Sequence, residues 1–309
     1  MKISIGRMKN AKALRRKRQK TLPWERKAEI AERAMRRQDY YLKTVGSYKV
    51  AHDFPHNWRV GINAMGIAKV LGASKAEQQQ ARLAGVTHDV AREDTNLFPH
   101  EVAGAKVLKQ IMQKRAGKKG LQRAVNAVRY HSKFPGLHSS TVRRAIFFAD
   151  TAEKLHSYSI FRRAAFQAVK KENINEVTNY IKKKCKETSN FERMSEINKR
   201  KLEQLWENEK ALYFVKDRTE VMIKEYGKLE NFPVELRKGL ERQILLQKHF
   251  LKALDRRESW AENMALTMYW SGKRGGSVDD SVRKYSPIGR RDMLFKREAI
   301  RFIDGNFFR

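Results

Sequence analysis

Apolar residues in the first part of the chain recur at helical spacing. Within 56–73 they fall at steps of three and four residues, which places them on one helical face that should pack into a core. The positions on that face are Val60, Ala64, Ile67, Ala68 and Leu71. Ser74, with Glu77 three residues later, is a capping-box signature that predicts a second helix from Lys75 toward His88.

Helical patterns continue through the middle of the chain, and strand patterns are scarce. The charged segment 24–42, rich in Ala, Glu, Arg and Met, is also expected to be helical. Gly-containing stretches at 117–120 and 133–136 are natural loops. Further helices are expected at 101–114, 121–130, 141–155, 160–170 and 173–184. The pattern therefore predicts an all-α domain.

Beyond residue 188 the polar stretches lengthen and apolar residues become sparse. Two amphipathic helices are predicted there, as an antiparallel pair broken near 231–233. The second is supported by a seven-residue a/d spacing of Leu240, Ile244, Gln247, Leu251 and Leu254. From Gly272 onward we expect an irregular basic tail. The predicted parts are a basic arm and charged helix at 1–44, the all-α domain at 45–188, and a helical, basic C-terminal extension at 189–309.

Composition adds a strong positive charge to this picture. The 309 residues include 67 Lys and Arg against 34 Asp and Glu, a formal net charge of +33, which attracts polyanions by coulombic steering and counterion release. The arm before Glu25 is basic, with four consecutive cations at Arg15, Arg16, Lys17 and Arg18. We expect the arm and tail to bind nucleic acid or a ribonucleoprotein. A basic surface kept for solubility or for an acidic protein is the alternative.

Cysteine content and hydropathy restrict the setting. The single Cys185 excludes an intrachain disulfide and a cysteine-based zinc site, and it fits a reducing compartment. No apolar run approaches the roughly 18–20 residues of a membrane span, so no membrane partner is expected. We expect an intracellular protein, cytoplasmic or ribonucleoprotein-associated. An organelle matrix remains an alternative, because the basic N-terminus could serve as a transit peptide.

Histidine clustering is the main chemical signal. Seven of the eight histidines lie between His52 and His156. Neutral imidazole and carboxylate together suit iron, manganese or zinc better than magnesium. His88 and Asp89 are adjacent, so both can reach one cation only near a helix end or distortion. Asp150 follows an apolar helical stretch, where an isolated carboxylate is costly unless it is paired or bound to a cation.

Five segments stand in an order that resembles HD-superfamily domains. They are His56-Asn57-Trp58-Arg59-Val60, the stretch 84–89 ending in His88-Asp89, the stretch 100–105, Tyr130-His131-Ser132, and Phe147-Phe148-Ala149-Asp150. The resemblance covers roughly residues 50 to 180. Its middle segments are similar to the bacterial symmetrical diadenosine tetraphosphate hydrolases.

This resemblance implies an all-α HD-domain helical bundle that holds metal. The implied ligands of a first ion are His56, His88, Asp89 and Asp150. His100 and His131 would bind a second ion or contact phosphate. The expected cofactors are therefore one or two transition-metal ions, with iron or manganese first.

The implied reaction is attack of metal-bound hydroxide on a phosphorus atom of a nucleotide, possibly a dinucleoside polyphosphate. Asp89 would take part in catalysis, and Glu93 or Asp94 would orient or deprotonate the water. Arg59 and Arg92 would offer positive charge to phosphate. The alternative is a nucleic-acid- or ribonucleoprotein-associated protein that uses the domain as a scaffold.

Two departures from the resembled pattern concern the substrate. Val90-Ala91-Arg92 stands where these hydrolases commonly have a small residue and then lysine, which keeps the charge. The stretch 154–157 stands where the resembled hydrolases tend to have Pro and Arg near the nucleotide.

Among the other histidines, we expect His52 and His138 to be solvated or just outside the site, and His156 and His249 to be surface or packing residues.

Overall fold

Helices account for every regular element in the described residues of the computed structural model, and no strand occurs there. The structure describes residues 23–42, 54–91, 99–113, 118–136 and 138–305. The all-α prediction is confirmed. Among these residues, no helix is both long and apolar enough to cross a bilayer.

The chain forms two compact units, which meet along the sequence between Thr151 and Ala152. The predicted domain boundary at residue 188 stays a prediction. The helices of the first unit are α1 (Trp24–Leu42), α2 (Phe54–Val70), α3 (Lys75–Thr87), α4 (His100–Met112), α5 (Lys118–Arg129) and α6 (Thr141–Leu155), with the division inside α6. Their bounds agree with the predicted helices to within three residues.

The predicted capping box begins α3. The Ser74 hydroxyl accepts a hydrogen bond from the Glu77 backbone N–H at 3.3 Å, and the Glu77 carboxylate accepts from the Ser74 backbone N–H at 3.2 Å. The hydrogen bonds from Ser74, assisted by the charge of Arg123, hold the pKa of Glu77 below its usual value. Caps of this kind typically contribute about 1 kcal/mol.

Helices α2 and α3 cross with their backbones in contact at two glycines. A Cβ on Gly85 would lie 2.6 Å from the Cα of Gly61, and a Cβ on Gly61 would lie 2.9 Å from the carbonyl oxygen of Arg82. No larger residue fits at this crossing unless the helices separate. Because His56 precedes Gly61 on α2 and His88 directly follows α3, the crossing brings these two histidines together.

The second unit continues with helices to the end of the described chain. They are α7 (Tyr158–Gln167), α8 (Lys171–Glu187), α9 (Glu196–Tyr226), α10 (Val234–Asp255), α11 (Ser259–Lys273), α12 (Val278–Lys284) and α13 (Arg290–Ile303). The two predicted amphipathic helices are α9 and α10, and a 3-10 turn at Leu229–Asn231 separates them. Leu240, Ile244 and Leu254 of the predicted a/d set are buried.

The prediction of an irregular tail from Gly272 is wrong. The chain there forms α12 and α13, and α13 buries Phe295, Ala299 and Phe302 along one face. Gly275, with φ at 73°, supplies the left-handed turn that follows α11. The many basic residues of this region hid a regular apolar face.

Candidate metal centre

Six side chains predicted as metal ligands lie in five places of the first unit. They are His56 in α2, His88 and Asp89 directly after α3, His100 at the start of α4, His131 just after α5, and Asp150 in α6. Helix α3 ends at Thr87, so the adjacent pair His88 and Asp89 stands at a helix end, as predicted. Val90 and Ala91 are buried in a cluster with Val86, which anchors the pair from both sides.

Two histidines are fixed in one tautomer by backbone carbonyls. The Nδ1–H of His88 donates to the carbonyl oxygen of Gly85 at 2.7 Å, and the Nδ1–H of His131 donates to that of Val128 at 2.8 Å. A carbonyl only accepts, so in the neutral form of each ring the lone pair lies on Nε2. The Nε2 of His88 is fully buried and has no hydrogen-bond partner among the described residues. A cation would satisfy it.

Asp89 lies between two groups of histidines. Its Oδ2 is 3.5 Å from the Nε2 of His56 and 3.6 Å from the Nε2 of His88. Its Oδ1 is 3.3 Å from the Nε2 of His100 and 3.6 Å from the Nε2 of His131. One carboxylate therefore faces two positions, each with two imidazole nitrogens.

Asp150 completes one of these positions, because its Oδ1 is 3.9 Å from the Nε2 of both His56 and His88. The first position is defined by His56, His88, Asp89 and Asp150. The second position is defined by Asp89, His100 and His131. The side chains of His56, His88 and Asp89 are at most 1% exposed, whereas Asp150 is 13% and His100 19% exposed. Among the described residues, the centre is therefore more open at Asp150 and His100.

The donor set fits a transition-metal cation. Atoms bound to one ion by bonds of about 2.0–2.2 Å lie roughly 3 to 3.5 Å apart. The Nε2 and carboxylate oxygens here are separated by 3.3 to 3.9 Å, only slightly more than that. Clustered imidazole and carboxylate groups suit iron, manganese or zinc. The ligand atoms of His56, His88 and Asp150 lie within 4.8 Å of one another, as do those of His88, Asp89 and His131.

Protons compete differently at the two positions. Burial lowers the pKa of His88 to about 4, although Asp89 opposes the shift. Burial also acts to lower the pKa of His131, but its contact with the Asp89 carboxylate outweighs burial and raises that pKa. A metal ligand must be a neutral imidazole. His88 is therefore neutral and ready to bind metal at neutral pH, whereas at His131 a metal ion competes with a proton whose binding Asp89 favours.

Glu101 supports the second position and was not predicted as a site residue. Its Oε1 accepts a hydrogen bond from the Ser132 hydroxyl at 2.6 Å, and its Oε2 lies 3.4 Å from the Nδ1 of His100. It thus connects His100 to the residue after His131. A carboxylate on the far nitrogen of a ligating histidine fixes the ring and raises its basicity. The only signal in the sequence was its place next to His100.

Replacing Glu101 by Gln should weaken metal binding at the second position by about 10- to 100-fold, the usual effect of removing such a partner. Glutamine keeps the volume and can still accept from Ser132, but it loses the charge that orients His100. Competition with a chelator measures the affinity. The exposed Glu172→Gln variant is the matched control, and equal affinities of the two variants would contradict the role of Glu101.

The structure describes only some of the other predicted site residues and histidines. Arg59 lies on α2 and is 1% exposed, and its phosphate role stays a prediction. His138 and His249 are exposed, and His156 is fully buried with its ring stacked on Phe302 at 4.3 Å. Outside the described residues lie His52, Arg92, Glu93, Asp94, Arg15, Arg16, Lys17 and Arg18.

The helical fold and the ordered His, His-Asp and Asp residues together define a class of protein, the all-helical domains with clustered histidines and aspartates that could hold a metal ion. The HD domain family matches residues 54–260, more than half of the chain, and the chain belongs to this family. Members of the family are generally metal-dependent hydrolases. No curated protein and no solved structure matches the chain.

Proposed function

We propose that this protein is a metal-dependent phosphohydrolase that acts on a nucleotide, with a dinucleoside polyphosphate as the first candidate. The observation that carries the proposal is the placement of Asp89, whose two carboxylate oxygens face separate pairs of histidines. A carboxylate shared in this way can hold two cations close together. Paired cations are a recurrent arrangement in phosphate-ester hydrolysis.

The residues of the first position would hold one ion and those of the second position another, with iron or manganese first. A bound ion of this kind lowers the pKa of water and offsets negative charge on phosphoryl oxygens. The chain itself supplies buried, oriented imidazoles at His88 and His131. It also leaves Asp150 and His100 partly exposed, which would give a phosphate group access to the centre.

Positive charge supports an anionic substrate. The net charge of +33 favours the approach of polyphosphates. Arg59 and Arg92 remain the proposed phosphate-binding residues, and Glu93 or Asp94 the proposed groups that orient or deprotonate water. The departures at Val90-Ala91-Arg92 and at 154–157 bear on the nucleotide rather than on hydrolysis, so the base and the chain length of the substrate are open to experiment.

A screen of substrates tests the proposed function. Nucleotides, dinucleoside polyphosphates and short oligonucleotides are incubated with the protein loaded with iron, manganese or cobalt, and released phosphate or nucleotide is measured. We expect metal-dependent hydrolysis of a nucleotide substrate, with dinucleoside polyphosphates the fastest. Hydrolysis of oligonucleotide ends alone would move the substrate class to nucleic acid, and no turnover with any metal would reject the proposal.

A second candidate function follows from the net charge of +33. A nucleic-acid- or ribonucleoprotein-associated protein would use the basic arm and tail for binding and the HD domain as a scaffold. Such a protein would bind nucleic acid with strong salt dependence while showing no metal-dependent turnover. Nucleic-acid binding can also accompany turnover, and the same screen separates the two functions when nucleic-acid binding is measured in parallel.

A further inference from the structure

A cavity of about 290 Å³ lies in the second unit, beside helices α10, α11 and α13. Its walls include Leu246, Ala253, Trp260 and Phe295, all of which are at most 9% exposed. The rings of Trp260 and Phe295 have centroids 5.5 Å apart and are tilted by 35°. The walls are therefore apolar and partly aromatic, and the volume is at the lower end of the range for small-molecule sites.

Cations surround this apolar interior. Lys252, Arg256 and Arg291 line the cavity and are exposed. Arg291 pairs with the carboxylate of Glu258 at 2.6 Å, so their charges largely cancel. Lys252 and Arg256 form no ion pair within 4.0 Å of a carboxylate of the described residues, although the charge of Arg256 also acts on Glu258. Together with Glu258, these three cations leave a net charge of two positive units at the edge of the cavity for an anion.

The indole of Trp260 is held in place. Its Nε1–H donates to Glu258 at 2.7 Å, and its ring contacts Phe250 at a centroid distance of 6.2 Å. A fixed aromatic ring loses little conformational entropy when a ligand packs against it. This wall suits a flat, apolar ligand body better than a flexible one.

We propose that this cavity binds a nucleoside monophosphate. A phosphomonoester carries about −1.5 to −2 charges at neutral pH, which matches the two cations of Lys252 and Arg256, and guanidinium groups bind phosphate oxygens well. The base is the flat body that packs on the aromatic wall at Trp260. All the contributing residues belong to the second unit, so the inference is independent of the metal centre and of the proposed hydrolysis.

Isothermal titration of the full chain with adenosine 5′-monophosphate tests this site. Adenosine and inorganic phosphate are titrated separately, because adenosine has the base without the phosphate and inorganic phosphate has the charge without the base. We expect saturable binding of one adenosine 5′-monophosphate per chain, with the two fragments each at least about tenfold weaker. Equal affinity for inorganic phosphate would show a general anion contact and overturn the proposal, as would the absence of saturable binding.

Two pairs of substitutions locate the binding. Lys252→Gln with Arg256→Gln removes the cations of the cavity, and we expect at least a tenfold loss of affinity, about 1.4 kcal/mol. Lys238→Gln with Lys248→Gln removes the same amount of charge from two exposed positions of α10. These positions do not line the cavity, so the affinity should be unchanged. Equal losses in both pairs would reveal a nonspecific field effect and overturn the site.

A further variant tests whether adenosine 5′-monophosphate binds at the metal centre instead of at the cavity. Asp89→Asn should leave binding of adenosine 5′-monophosphate at the cavity intact. If Asp89→Asn abolished binding and the cavity pair did not, the ligand would lie at the metal centre and the proposal would be wrong. Thermal unfolding of each variant confirms that the fold is retained, as the exposure of Lys252 and Arg256 leads us to expect.

Discussion

Replacing Asp89 by asparagine should remove bound metal from both positions and reduce turnover by at least about a hundredfold. Loss of a residue that only supports a metal ligand typically costs up to about a hundredfold, and loss of a shared ligand should cost at least as much. The reason is the placement of its carboxylate, with Oδ2 facing His56 and His88 and Oδ1 facing His100 and His131. An amide keeps the size but loses the charge and one ligand oxygen.

Metal content by elemental analysis and turnover on the substrate found in the screen measure this effect. Asp255→Asn, at an exposed position of the second unit, is the matched control and should retain metal and turnover. Circular dichroism checks that the Asp89→Asn variant remains helical. A folded variant that kept its full metal content would contradict the assignment of Asp89 as the shared ligand.

Replacing Gly85 by alanine should lower the free energy of unfolding by about 1 to 3 kcal/mol, the typical cost of overpacking. The new Cβ would lie 2.6 Å from the Cα and 2.8 Å from the nitrogen of Gly61, which are backbone atoms that cannot rotate away. Alanine favours the helix by about 1 kcal/mol relative to glycine, but the collision requires α2 and α3 to separate. His56 would then move away from His88, and metal affinity should fall as well.

Thermal unfolding of the metal-free protein measures the loss of stability. We expect the melting temperature to fall by several degrees, at about 2–4 °C per kcal/mol for a unit of this size. Gly136→Ala is the control, because a Cβ there meets nothing within 4 Å, and it should change stability by no more than about 0.5 kcal/mol. An unchanged melting temperature for Gly85→Ala would show that the crossing tolerates a side chain.

Local signals allowed the sequence to predict much of the first unit. The capping box at Ser74 and Glu77 depends on neighbouring residues only, and it was found where predicted. Adjacent His88 and Asp89 required a helix end, and α3 ends at Thr87. The role of Asp89 as a residue shared by two positions could not be predicted, because it depends on which oxygen faces which histidine after five elements have packed together.

Two further features of the structure were not predicted from the sequence. Glu101 lies beside His100 along the chain, but its hydrogen bond from Ser132 joins residues far apart in sequence. The helical tail was missed because basic residues masked the apolar face of α13, in which Phe295 and Phe302 are buried. For Glu101 the deciding contact is between two elements, whereas the helical spacing of Phe295, Ala299 and Phe302 was present in the sequence.

Metal binding by these histidines and aspartates is tested by the position of the metal in a crystal of the protein loaded with manganese or iron, located by anomalous scattering at the metal edge. We expect a peak within coordinating distance of the Nε2 atoms of His56 and His88 and of the carboxylates of Asp89 and Asp150. A second ion would give a peak beside His100 and His131. A loaded crystal with no peak among these side chains, or with its only peak elsewhere, would show that they do not form the metal centre.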